Sequence, residues 1–186
     1  MRKWILLASL VVLGLLCLFS GTLFPETPVD EKSIPEFSSA DIAWMLVSSA
    51  MVLIMTPGLG FFYGGMVRKK NVISTILQSF IAMGVITVVW VVIGFGLAFG
   101  DSIGGIIGNP SKFLFFSNVG TKSAWSLAPT IPLILFAVFQ MKFAIITPAL
   151  ISGAFAERIR FWGYLLFIIL FSLFIYSPLA HAVWHP

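Results

Sequence analysis

A membrane-length stretch without acidic residues constrains the fold of this chain more than any other feature. Residues 129–156 contain a single charged side chain, Lys142, and the stretch ends at the charged segment 157–160. An α-helix rises about 1.5 Å per residue, so about 20 apolar residues cross the hydrocarbon core of a bilayer. The stretch therefore predicts a transmembrane helix at about residues 129–156.

The spacing of side chains gives this predicted helix two distinct faces. Phe139 and Phe143 are four residues apart and share one face, which suits the lining of a lumen. Ala149 and Gly153 repeat the small-residue spacing that lets a neighbouring helix backbone approach closely. We expect one face to line a pathway and another to pack against a second helix.

The composition extends this prediction to the whole chain. The sequence is 59% hydrophobic and 10% charged, with a mean hydropathy of +1.06. A core of 186 residues cannot bury so much apolar surface, so lipid must solvate part of it. We predict an all-α integral membrane protein, a multi-pass helix bundle in the cell inner (plasma) membrane, with the lipid bilayer as a partner.

The basic charge balance indicates topology rather than a ligand. The net charge is +4, which in a soluble protein would suggest nucleic acid as a partner. Here the Lys and Arg residues cluster at the ends of apolar runs, so we predict no nucleic-acid binding. Under the positive-inside rule, the basic turns at residues 68–71 and 157–160 lie in the cytoplasm, and the two agree on one orientation.

The N-terminal segment precedes the predicted bundle. Arg2 and Lys3 lead into an apolar run, so residues 1–24 fit either a cleavable signal peptide, which we favour, or an uncleaved first transmembrane helix. Residues 25–41 carry five acidic residues against one lysine, which predicts a solvated external loop.

Four further spans account for most of the remaining chain. They are predicted at about residues 42–67, 72–99, 129–156 and 161–184. Between the second and third, residues 101–126 are rich in Gly, Asn, Ser and Lys. We predict an external loop there whose phenylalanines anchor it at the membrane interface.

The first of these spans carries a pair of glycines one turn apart. Gly60 and Gly64 favour close helix packing. In the alternative interpretation, Tyr63 between them places a hydroxyl near the inner end of a pore.

The sequence offers no basis for catalysis or metal binding. No Ser, His and Asp are placed together for nucleophilic attack, and no paired carboxylates lie in the predicted spans. Two histidines and one cysteine, Cys17, supply too few ligands for a zinc site. We therefore predict that the protein is not an enzyme and needs no cofactor or metal.

Three motifs carry a resemblance to a known family. The segments TPGLGFFYGGMVRKKNV, FQMKFAIITPALISGAFAERIRF and SPLAHAVW occur in one order along the chain. In them the chain resembles the N-terminal part of the ammonium transporter family, which comprises the Amt, Mep and Rh proteins. The resemblance implies that residues 42–186 are a partial ammonium transporter domain. It also implies an eleven-helix protomer in a homotrimer, an apolar pore for ammonium or ammonia, and a cytoplasmic PII-type regulatory partner.

The resemblance also assigns roles to individual residues. Phe139 and Phe143 match phenylalanines of the family's outer vestibule and gate, and Trp184 matches its vestibule tryptophan. Together they imply an ammonium recruitment site, since each aromatic face attracts a cation by about 0.5 to 2 kcal/mol. In the alternative interpretation the three rings are interfacial anchors or core residues.

Departures from the family pattern lead to further expectations. The family's paired pore histidines, its recruitment-site aspartate and its second gate phenylalanine correspond to sequence beyond this chain. His181 and His185 lie at the outer end of a predicted span and do not replace the pore pair. We therefore expect a truncated product that is inactive alone; the alternatives are the ammonium-sensing domain of a signalling protein and an inert membrane fragment.

Lys142 is a second departure, because the family usually has an uncharged residue there. At 100° per residue it points about 60° from Phe139 and about 100° from Phe143, so it flanks their face. Its charge either modulates ammonium recruitment electrostatically or is turned away from the vestibule.

Overall fold

The computed structural model describes residues 36–185. The predicted signal peptide or first helix at residues 1–24 lies outside the described residues, as does most of the predicted acidic loop at residues 25–41.

Four helices in the described part are long and apolar enough to cross a membrane. In chain order, the first to fourth spans are Ser39–Met66, Lys69–Phe99, Leu133–Phe155 and Phe161–Trp184. These four spans confirm the predicted class of a mostly helical, multi-pass membrane protein.

The second and fourth spans are each interrupted by one wide turn. The α-helices are α1 (Ser39–Met66), α2 (Val72–Val89), α3 (Phe95–Phe99), α4 (Leu133–Ile151), α5 (Phe161–Phe171) and α6 (Ser177–Trp184). The π-helical turns Trp90–Gly94 and Ser172–Tyr176 join α2 to α3 and α5 to α6. Such turns insert one residue into a helix and re-aim the side chains around them. Short 3₁₀ turns lie at Lys69–Asn71, Pro110–Lys112, Leu114–Phe116 and Ser152–Phe155.

The third span begins later than the hydropathy pattern predicts. Residues Ala128–Pro132 form a strand, β4, that pairs antiparallel with β3 (Ala124–Trp125). Two prolines, Pro129 and Pro132, explain the difference, because proline disfavours a helical conformation in the residue before it. The helix α4 therefore starts at Leu133, whose N–H donates to the Ser123 carbonyl at 2.7 Å.

The glycine pair in α1 serves helix packing. A Cβ on Gly60 would lie 3.1 Å from Ser79 Cβ, and one on Gly64 would lie 2.8 Å from Ile76 Cγ1. Both neighbours belong to α2, so the absence of side chains lets the two helices approach closely.

The connection between the second and third spans packs into the protein. It contains a hairpin of β1 (Ser102–Ile103) and β2 (Ile107–Gly108). Phe113 is 4% exposed, with its ring 5.1 Å from that of Phe95. The prediction that the loop phenylalanines anchor at the membrane interface is wrong for Phe113. The backbone of Gly96, where a Cβ would lie 2.7 Å from Pro110 Cα, lets the loop approach and bury this ring.

The core of the bundle is centred on Trp90. Its ring is fully buried, and its Nε1–H donates to the Ala137 carbonyl at 3.1 Å. The rings of Phe95, Phe99 and Tyr176 lie 5.9, 6.3 and 6.1 Å away. This cluster joins the second, third and fourth spans near the end that carries residues 101–126, which we call the aromatic end. The opposite end, with residues 68–71 and 157–160, is the basic end.

Candidate functional site

The structure brings the three predicted recruitment residues together at the aromatic end. Phe139 and Phe143 lie on α4 with ring centroids 5.1 Å apart, edge to face. Trp184, the last residue of α6, lies 6.4 Å from the Phe143 ring and is 40% exposed. We call these three residues the aromatic row. The row brings aromatic rings from the third and fourth spans together.

The packing of α4 explains why these two phenylalanines remain accessible. Its opposite face is closed by Ala137, Ala144 and Ala149, which have no exposed surface. Phe139 and Phe143 are only half-buried, and Leu150, two turns further along the same face, is half-exposed. The face predicted to line a lumen is therefore the one that the described spans leave open.

The two helices that carry the aromatic row contain no carboxylate. Within residues 36–185 the carboxylates are Glu36, Asp41, Asp101 and Glu157, and none belongs to α4 or α6. A cation at the row would be attracted by ring quadrupoles rather than by a charged residue of these two helices.

Lys142 lies on α4 between Met141 and the half-buried Phe143. Its side chain is half-buried, and it makes no ion pair or hydrogen bond with the part of the chain that the structure describes. By helix geometry it sits about 60° around α4 from Phe139. It is a cation at the flank of the aromatic row.

Tyr63 lies at the basic end, away from the aromatic row. Its hydroxyl donates to the Leu150 carbonyl at 2.7 Å, and a Cβ on Gly153 would lie 2.6 Å from its Cε1. The small-residue prediction for Gly153 thus needs correction, because its close neighbour is a tyrosine ring rather than a helix backbone. A cavity of about 290 Å³ beside the ring is lined by Val67, Ala154 and neighbouring residues.

Glu157 joins the two basic turns, a role that the sequence reasoning missed. Its Oε1 accepts from the Arg68 N–H at 2.8 Å and from Asn71 Nδ2 at 2.9 Å. Arg68 Nε lies 3.7 Å from Oε2. The hydrogen bond from Asn71 and that from the Arg68 N–H lower the pKa of the Glu157 carboxyl. The one acidic residue in a basic turn was the only signal for this contact in the sequence.

His181 joins the second and fourth spans at the aromatic end. It is 2% exposed, with Nδ1 2.9 Å from the Ala98 carbonyl and Nε2 3.0 Å from Ser102 Oγ. A carbonyl only accepts, so Nδ1 carries the proton and Nε2 accepts from the Ser102 hydroxyl in the neutral ring. The His185 ring lies 4.3 Å from that of His181 and 5.7 Å from Trp125.

Neither histidine lies on α4 beside the aromatic row. His185 lines an open cleft of about 850 Å³, together with Asp101, Lys112 and Trp125. Within residues 36–185 no group of three His, Cys, Asp or Glu side chains is placed to hold a metal ion.

Comparisons with known proteins agree on one family. The sequence model of the Ammonium Transporter Family matches residues 43–186. An ammonium transporter of Mycobacterium tuberculosis is 50% identical over 157 residues, which cover 77% of this chain and 33% of that protein. The chain spans about a third of the length of the curated relatives it matches.

Solved structures share the fold of the described spans. The structure of Saccharomyces cerevisiae Mep2 matches with a TM-score of 0.73 and 38% identity, over 81% of this chain and 33% of that one. A structure named Sensor Amt Protein matches with a TM-score of 0.68 and 28% identity, over 77% of this chain and 33% of that one.

Proposed function

The chain belongs to the ammonium transporter family, and we propose that residues 36–185 form one wall of a pathway that carries ammonium across the cell inner membrane. The aromatic row of Phe139, Phe143 and Trp184 is the observation that carries this proposal. The Mycobacterium tuberculosis relative is an ammonium transporter, and the chain is a multi-pass membrane protein. A role in transport rather than in enzyme catalysis is therefore part of the proposal.

The chemistry of the aromatic row suits a small cation. Each ring face attracts ammonium by about 0.5 to 2 kcal/mol, which offsets part of the lost hydration without holding the ion permanently. Trp184 is the most exposed of the three and meets the ion first, and Phe143 lies behind it on α4. An apolar site whose helices, α4 and α6, contain no carboxylate disfavours charge, so deprotonation becomes easier further along the pathway.

The orientation and assembly follow from the same proposal. The aromatic end faces outward, and the basic turns at residues 68–71 and 157–160 face the cytoplasm. We extend three properties of whole transporters of the family to this chain. Polypeptide other than residues 36–185 would close the pathway, three copies would form a homotrimer, and a PII-type protein would bind at the basic end.

Tyr63 takes a positioning role in this proposal. Its hydroxyl donates to Leu150, two turns from Phe143 on the same face of α4. The hydroxyl oxygen keeps acceptor capacity, so it is a polar group at the inner end of the pathway as well as a link between the first and third spans.

Lys142 acts as an electrostatic modulator of recruitment. At about 7 Å from a bound ammonium ion and an effective dielectric of about 20, its charge would repel the ion by about 2 kcal/mol. That corresponds to more than tenfold weaker recruitment. Lys142→Met should therefore raise ammonium affinity, whereas Lys112→Met, which removes an exposed charge from the loop, should not.

A chimera tests the proposed function directly. Residues 43–185 would replace the matching part of the Mycobacterium tuberculosis relative, and ammonium uptake would be measured in cells that lack other transporters. We expect uptake, with a lower apparent KM in the Lys142→Met chimera. A chimera that reaches the membrane, remains folded and transports no ammonium would contradict the proposal.

An ammonium sensor is the second candidate function, favoured by the likeness to the structure named Sensor Amt Protein. In a sensor, ammonium would bind at the aromatic row without crossing the membrane. Ammonium-dependent change in tryptophan fluorescence of the purified chain, combined with absent uptake by the chimera, would favour the sensor. Absence of both would identify a membrane segment with packing roles alone.

A further inference from the structure

The last turn of α6 has little buried surface of its own. Among residues 181–184, all of which the structure describes, only His181 is buried. Ala182, Val183 and Trp184 are exposed. The last carbonyls of an α-helix lack partners within the helix, so a helix end with few buried contacts frays easily. His181 is therefore the buried attachment of this turn to the rest of the described spans.

His181 attaches the turn through both nitrogens of its ring. Nδ1–H donates to the Ala98 carbonyl in α3 at 2.9 Å, and Nε2 accepts from the Ser102 hydroxyl in β1 at 3.0 Å. Ala98 has no exposed surface, so the first of these bonds is shielded from water. Losing a buried hydrogen bond leaves its partner unsatisfied and costs more than losing an exposed one. The bond to Ala98 thus fixes the end of the fourth span against the end of the second.

Trp184 lies one turn beyond His181 on the same helix. Residues three apart are neighbours on a helix surface, so a shift of the His181 turn moves Trp184 with it. The Trp184 ring lies 6.4 Å from that of Phe143, which belongs to a different span. The distance between these two rings therefore depends on where the last turn of α6 is held.

We propose that His181 is a positioning residue for ammonium recruitment: it holds the last turn of α6 against α3 and β1 and thereby sets the position of the Trp184 ring beside Phe143. The inference rests on the proposed role of the aromatic row. The ring nitrogens of His181 are engaged by Ala98 and Ser102, so His181 acts through Trp184 rather than on the ion.

Two substitutions of His181 separate the hydrogen bond from the volume of the ring. His181→Asn places an amide N–H where Nδ1–H lies, so the bond to the Ala98 carbonyl should persist. His181→Leu keeps a bulky side chain but leaves that carbonyl unpaired. In the chimera, His181→Leu should raise the apparent KM for ammonium by about 2- to 30-fold, the range for one lost cation–π contact, with little change in maximal rate. The KM of His181→Asn should stay close to that of the unsubstituted chimera.

Tyr164→Phe is the matched control for lost stability. Tyr164 is also fully buried in the fourth span, and its hydroxyl donates to the Gln78 carbonyl at 3.0 Å. Losing this bond lowers the free energy of unfolding without touching the last turn of α6, so the KM should not change. Thermal unfolding of all three variants would verify that each remains folded.

A double variant tests whether His181 acts through Trp184. In Trp184→Ala the positioned ring is absent, so adding His181→Leu should raise the KM no further. A further rise equal to that of His181→Leu alone would show that His181 affects ammonium by another route, and it would overturn the proposal.

Fluorine NMR of the purified full chain, labelled with 5-fluorotryptophan, tests the positioning without ammonium. The Trp184 resonance, identified by its loss in Trp184→Phe, should shift in His181→Leu and stay in place in His181→Asn. If Trp184→Ala leaves the KM unchanged, the proposed recruitment fails, while the fluorine spectra still decide whether His181 positions the ring. An unmoved Trp184 resonance in His181→Leu, or an equal shift in both His181 variants, would overturn the positioning role.

Discussion

The aromatic end and the basic end of the bundle are held together by different interactions. At the aromatic end, a loop packs its rings onto Phe95 and Phe99, and a buried His181 links two spans. At the basic end, short turns are joined by the Glu157 carboxylate, and Tyr63 covers Gly153. The first end is closed by buried surface, and the second by a few polar contacts exposed to solvent.

This difference relates each end to its proposed role. At the aromatic end, the buried cluster around Trp90 packs together the third and fourth spans, which carry Phe139, Phe143 and Trp184. The proposed recruitment site would need such support. The basic end depends on solvent-exposed polar contacts, which water and salt weaken. The following experiments would break or sharpen this contrast, beginning with the largest expected effect.

Because the backbone is closely packed at the aromatic end, an added methyl group there should greatly lower the free energy of unfolding. A Cβ on Gly100 would overlap the carbonyl oxygens of Asn109 and Gly96, so Gly100→Ala should lower the free energy of unfolding by about 1 to 3 kcal/mol. Gly84→Ala is the matched control, because no atom lies within 4 Å of the added Cβ. Equal unfolding midpoints for the two variants in mixed micelles would contradict the packed loop.

Removing single tyrosine hydroxyls should change the free energy of unfolding by an intermediate amount. Tyr63→Phe loses the bond to Leu150, and Tyr164→Phe loses the 3.0 Å bond to the Gln78 carbonyl, so each should cost about 1 kcal/mol of unfolding free energy. The Tyr176 hydroxyl is buried and has no hydrogen-bond partner within residues 36–185. Tyr176→Phe should therefore be neutral or slightly stabilising, and a loss equal to that of Tyr63→Phe would disagree with this description.

Acid should weaken the basic end selectively, with the smallest effect of the three. The folded pKa of Glu157 lies below its ordinary value of 4.5. The carboxylate therefore stabilises the fold above that pH, and the stabilisation disappears as the pH falls through the lower folded value. Unfolding midpoints measured from neutral pH downward should converge between wild type and Glu157→Gln. A pH-independent difference would show that the carboxylate charge has no role there.

The sequence allowed the spans and the family to be predicted because both signals are local. The charge-poor run at residues 129–156 and the basic turn beginning at Arg68 indicate a membrane helix and its end without knowledge of any contact. The motif around Phe139 and Phe143 likewise lies within one helix, although only the structure brings Trp184 beside it.

The missed features are contacts between residues far apart in the chain. Glu157 meets Arg68, and His181 meets Ala98, across more than 80 residues of sequence. No local pattern distinguishes a phenylalanine at the membrane interface from a buried one. Phe113 is buried because the loop approaches closely at Gly96, which has no side chain. The π-helical turn at Trp90–Gly94 was likewise not predicted from the sequence.

The central claim is that the aromatic row recruits ammonium. The most direct test measures ammonium uptake by two variants of the chimera, each lacking one tryptophan. Trp184 and Trp162 are both exposed and lie at opposite ends of the fourth span, Trp184 at the aromatic end and Trp162 at the basic end. Trp184→Ala should raise the apparent KM for ammonium by about 2- to 30-fold, the loss of one cation–π contact, while Trp162→Ala leaves it unchanged. An unchanged KM in Trp184→Ala, or an equal rise in both variants, would contradict recruitment by the aromatic row.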